Sequence, residues 1–122
     1  MLHPYLALGG PPPAPSLKVT VYSVRTKDVE LALIDSGANA TAINARLVAS
    51  LRLQKVGEHR VSGPFGREVV RPFFIIDLDF LGHRYKSHPA FLSDRPYVII
   101  GRDILNDYRL ILDGPKLRFS VK

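Results

Sequence analysis

Apolar and polar positions along the chain fall mostly into short runs of period two, the repeat of a strand with one covered face. Leu17–Val24 alternates and is rich in β-branched residues, with Val19 and Val21 on one face. The polar turn Arg25-Thr26-Lys27-Asp28 separates it from Val29–Asp35, whose Leu31-Ala32-Leu33-Ile34 reads as buried strand. Phe73–Phe80 predicts a long strand after Pro72, placed at its start where proline is tolerated. Phe74, Ile76, Leu78 and Phe80 fill one face of it, and Asp77 and Asp79 share a solvated one. A turn at Leu81-Gly82-His83-Arg84 leads into a return strand, Tyr85–Leu92. Tyr97-Val98-Ile99-Ile100 is a further buried strand, stopped by Gly101. Leu110-Ile111-Leu112 and Leu117–Val121 flank Asp113-Gly114-Pro115-Lys116 as a hairpin.

Helical spacing is confined to two short stretches. Asn44 is a good N-cap for Ala45–Leu51, with Leu47, Val48 and Leu51 on one face. Arg102–Tyr108 predicts a second helix, with Asp103 in its first turn where the dipole favours an acid. Residues 1–16 predict a flexible, proline-rich arm rather than a strand. Gly9-Gly10 and Pro11-Pro12-Pro13-Ala14-Pro15 interrupt any ladder and favour a stiff spacer. The expected organisation is therefore this arm followed by one all-β domain, residues 17–122, with one or two short helices.

Composition narrows the chemistry. A chain of 122 residues, 46% hydrophobic and 23% charged, is one ordinary globular domain. Cysteine is absent, which excludes a disulfide framework, a thiolate nucleophile and a cysteine zinc site. His83 and His88 lack the spacing of a metal site. The net charge of +6 would suit nucleic acid, but the basic residues are spread along the chain rather than clustered, so no nucleic acid is expected as partner. No stretch is long and apolar enough to span a membrane, and the N-terminus lacks the basic and apolar regions of a signal peptide, so a cytoplasmic location is expected.

Two stretches carry candidate chemistry. In Ile34-Asp35-Ser36-Gly37-Ala38 an apolar strand delivers a carboxylate, a hydroxyl and a glycine in succession. A carboxylate there is costly to ionise unless something holds it, and Gly37 allows another backbone to approach. Alone, Asp-Ser-Gly also reads as a plain turn. Ile99-Ile100-Gly101-Arg102-Asp103 is the second, a strand that could cross the first near Asp35. Together the two motifs resemble the retroviral-type (retropepsin) aspartic proteases over about residues 17–122.

The resemblance implies a closed-barrel acid-protease fold, homodimeric, because one Asp-Ser-Gly supplies one of two necessary carboxylates. It implies Asp35 as the catalytic acid, with Ser36 and Gly37 completing the active-site loop. Ala38, Asn39 and Ile100 would touch a peptide or protein substrate, and Gly101 and Arg102 would brace the loop. The hairpin around Gly63-Pro64-Phe65-Gly66 lies where the family has its flap, a lid that excludes water; a plain hairpin is the competing reading. No metal or organic cofactor is implied.

Where the family carries two acids, this chain has Asn39 and Ala40. The helix after Asn44 and the longer C-terminal hairpin resemble cellular or bacterial members more than viral ones. That hairpin is expected to build the dimer interface. A catalytically idle dimerisation or peptide-binding module on the same fold is the alternative.

Overall fold

The computed structural model describes residues 1–62 and 64–122. Its strands are β1 (Leu2–Leu6), β2 (Ala14–Tyr22), β3 (Lys27–Ile34), β4 (Ala42–Asn44), β5 (Gly57–Ser62), β6 (Glu68–Phe80), β7 (His83–Ser93), β8 (Val98–Ile100), β9 (Leu110–Asp113) and β10 (Arg118–Val121). Two short helices, α1 (Ala45–Ser50) and α2 (Arg102–Leu105), complete the chain with a single 3₁₀ turn at Pro64–Gly66. The order of paired strands is β5-β6-β7-β4-β8-β3-β2-β1-β10-β9, and β2 also pairs back onto β6 through Thr20–Asp79, Val21–Leu78 and Tyr22–Asp77. Pairing thus runs through β6, β7, β4, β8, β3 and β2 and returns to its start.

The core fills the inside of that circuit. Val19 and Val21 of β2, Ile76 and Leu78 of β6, and Val98 and Ile100 of β8 are essentially inaccessible to solvent. Burial at alternate positions along β6 matches the apolar face read from the sequence, and a bulge between Ile76 and Leu78 adjusts the register with β7. Asp77 and Asp79 lie on the outer face. The Asp77 Oδ1 accepts the Ser87 N–H, and Asp79 accepts bonds from Tyr22 Oη and Arg84 Nε. Leu47 carries α1 into the core, and Arg46 ties its outer side to Asp28 and Glu30 of β3 at 2.8 and 2.9 Å.

Four expectations change. Residues 1–16 are not a strandless arm: Leu2–Leu6 is a strand, pairing with β10 at Leu2–Ser120 and with β2 at Tyr5–Pro15, and β2 itself begins at Ala14. The domain therefore reaches in front of Leu17. Pro72 does not start a strand but sits inside β6 opposite Glu58. At that point β6 has β5 on one side only, its pairing with β7 beginning at Phe73, an edge position where proline is tolerated. Asn44 holds the N-cap position of α1 without capping it; its Nδ2 donates instead to Glu30 Oε2 and the Pro96 carbonyl. α2 is shorter than expected and ends at Leu105. No helix among the described residues is long and apolar enough to cross a membrane.

Candidate active site

β3 and β8 run parallel, paired from Ala32–Val98 to Ile34–Ile100, so their ends deliver Asp35 and Gly101 side by side. The Asp35 N–H donates to the Ile100 carbonyl at 3.0 Å, carrying the pairing one residue past β3. The chain then turns tightly, with the Ala38 N–H donating to the Asp35 carbonyl at 3.1 Å. Within the turn, the Gly37 N–H donates to Asp35 Oδ1 at 3.0 Å. A Cβ at position 37 would stand 3.2 Å from that same oxygen, so a larger residue there would press on the carboxylate. Among the described residues Asp35 Oδ2 has no hydrogen-bond partner. The carboxylate is half-buried, and Ser36 and Gly37 are exposed.

Gly101 and Arg102, expected to brace the loop, both lie against it. Arg102 donates from Nη1 to the Ser36 carbonyl at 2.8 Å and from Nη2 to Asn39 Oδ1. Its backbone N–H donates to the Ala38 carbonyl at 2.9 Å. Gly101 is buried with its Cα against the backbone of Ala40. A Cβ there would lie 2.7 Å from both the carbonyl carbon and the oxygen of Ala40. Backbone cannot retreat as a flexible side chain can. Gly101→Ala should therefore displace the 35–41 loop and cost about 1–3 kcal/mol as an overpacking change. A thermal melt within about 1 °C of the wild type would contradict that packing.

The structure separates the other expected residues. Ala38 is half-buried and Asn39 exposed, both in the loop. Ile100, expected to touch substrate, is fully buried with its side chain in the core. Period two along β8 turns Ile99 to the opposite face, and Ile99 is only partly buried. Gly63 lies outside the described residues. Pro64–Gly66 forms the tip of the β5–β6 hairpin, where Phe65 and Gly66 take positive φ values of 60° and 73° and the Phe65 side chain is fully exposed. A bulky residue in the left-handed region at a hairpin tip is uncommon. Among the described residues no hydrogen bond joins this tip to the Asp35 loop.

Residues beyond the sequence reading also hold the loop. Thr41 is fully buried. Its N–H and Oγ1–H donate to the two oxygens of Asp103 at 2.9 Å each, and its Oγ1 accepts the Gly101 N–H at 3.3 Å. His88 Nε2 lies 2.8 Å from Asp103 Oδ2. Partial burial pushes the Asp103 carboxyl up, but the bonds from His88 and Thr41 outweigh it and hold it below its ordinary value. A depressed carboxyl adds stability that is full above the unfolded-state pKa, near 3.8, and lost as pH falls through the folded value. The melting temperature should accordingly drop as pH is lowered from about 5 toward about 2, and drop less steeply in Asp103→Asn. Parallel profiles for the two proteins would contradict this coupling. The sequence signals were faint: a lone threonine between two alanines, and an acid that helix-dipole reasoning already explained.

The comparisons with known proteins point one way. The aspartyl protease family model matches residues 18–104, which include both the Asp35 loop and the Gly101 brace. No curated protein sequence matches the chain. Among solved structures, the EIAV protease complexed with the inhibitor HBY-793 is similar, with a TM-score of 0.59 and 22% identity over 77% of this chain and 86% of that one. The fold is therefore that of a retroviral protease, and the chain belongs to the aspartyl protease family.

Proposed function

We propose that the chain is an aspartic endopeptidase, active as a homodimer that hydrolyses peptide bonds with a water activated between two Asp35 carboxylates, one per subunit. The carrying observation is the Asp35 loop itself. One carboxylate stands at a strand end, one of its oxygens fixed by the Gly37 N–H and the other free of partners among the described residues. A single such group is half of an aspartic protease site, and a two-fold axis supplies the other half from a second copy.

In that arrangement the two carboxyls share one proton, since like charges in contact resist double ionisation. The ionised one removes a proton from water as the water attacks the peptide carbonyl. The protonated one first donates to that carbonyl oxygen, and a proton then passes to the departing amine. Arg102 keeps the Ser36 and Asn39 ends of the loop in place, and Ser36 is exposed where a second loop could meet it. Phe65 at the hairpin tip offers apolar cover over a bound peptide. Two copies meet through β9, the outermost strand of its sheet, which leaves one edge unpaired and Ile111 and Leu112 about half exposed.

The test is a peptide library cleaved across the acid to neutral range, with the oligomeric state measured by sedimentation. Cleavage by a dimer, blocked by a statine-type inhibitor at one molecule per two chains, is the expected result. A dimer that binds peptides and cleaves none would instead make the protein an idle binding module.

A further inference from the structure

We infer that Thr41, Asp103 and His88 form a positioning brace that holds the Asp35 loop at its working geometry; the inference rests on the protease reading for its meaning, though not for its test. Besides the Arg102 side-chain bonds to Ser36 and Asn39, the loop from Asp35 to Thr41 is tied to the 100–103 segment at three successive points. The Asp35 N–H meets the Ile100 carbonyl, and the Ala38 carbonyl meets the Arg102 N–H. The third tie, Thr41 to Asp103, is made through side chains. It is also the strongest in form: an N–H and an O–H on one residue grip both oxygens of one carboxylate, which fixes direction as well as distance.

The carboxylate has no spare capacity. Oδ2 accepts from Thr41 and His88, and Oδ1 accepts from the Thr41 hydroxyl and from the Ile104 N–H. His88 therefore fixes Asp103 from the β7 side, with its side chain 15% exposed. Thr41 is bound to β7 a second time, its carbonyl accepting the Phe91 N–H at 3.1 Å. The hydroxyl does one further thing that no apolar isostere can do. It accepts the N–H of Gly101, the residue packed directly on Ala40. Removing it strands a buried donor next to the loop that carries Asp35.

A residue that merely fills space at position 41 would be replaceable by valine, which has the same shape. A positioning residue would not. In Thr41→Val, amide hydrogen exchange at Gly37, Ala38 and Gly101 should quicken about 10- to 100-fold, while Val19 and Leu78 keep wild-type protection. On a cleavable peptide, kcat should fall by about 10-fold or more with KM within about 2-fold, and Thr41→Ser should restore both. Should Thr41→Val fail to fold, His88→Leu, which leaves the buried Thr41 in place, must show the same loop-selective quickening to a smaller extent. Wild-type exchange at the three loop amides in the variant that folds overturns the inference, as does quickening spread evenly over every strand. If the loop loosens selectively while the wild-type protein cleaves no peptide, the brace stands and the protease reading falls.

Discussion

Asp35→Asn should lower peptide cleavage by about 10⁴-fold or more and leave the fold and the proposed dimer in place. The amide keeps the shape of the side chain, and its oxygen can still accept the Gly37 N–H that holds the turn. It cannot take a proton from water or hold one for the leaving amine, so both halves of the proton transfer are lost at once. Because the residue enters the proposed site twice, a mixed dimer of wild-type and variant chains should be inactive as well. Cleavage by the variant above about one-hundredth of the wild-type rate, on the peptides the wild type prefers, would remove Asp35 from the chemistry.

The second large effect concerns β9. Ile111→Lys with Leu112→Lys should convert the proposed dimer to monomer and abolish cleavage in the same step. Both side chains are about half exposed in the single chain, at 48% and 50%, on the strand that ends its sheet. Covering them against a second copy is worth about 1–2 kcal/mol per side chain and counts twice across a two-fold axis, so dimer dissociation should strengthen well over 100-fold. Lysine on an edge strand also opposes pairing outright. Sedimentation of the double variant as an undisturbed dimer would place the interface elsewhere. Deleting the C-terminal hairpin would be a poorer test. Phe119 of β10 is fully buried and β10 pairs with β1 on its other side, so the deletion damages the fold along with any interface.

The Asp35 loop was legible in the sequence because its signal is local: an apolar run, then Asp-Ser-Gly, with an equally local Ile-Ile-Gly-Arg for its partner. The main strands were legible for the same reason, since period-two burial in β2 and β6 follows directly from the order of residues. What escaped depends on distant neighbours. Leu2–Leu6 contains a proline and no alternation, and becomes a strand because β10 lies beside it from the other end of the chain. Pro72 broke a continuous β6 into two readings because nothing local reveals that β5 alone flanks it there. Ile100, expected to touch substrate, is buried in the core; in so short a strand a single step exchanges core for surface. Thr41 and Asp103 are far apart in the chain, and the pairings of β8 with β3 and with β4 bring their segments together.

The union of Leu2 with Ser120 bears on how the molecule comes apart. The first residues shield one flank of β10 as β9 shields the other, and the His3 and Tyr5 rings rest on Phe119. Peeling away the leading residues would bare a second sticky border beside the first. Clipped molecules would then have one more way to adhere than intact ones, and tangled aggregates would follow in place of orderly pairs.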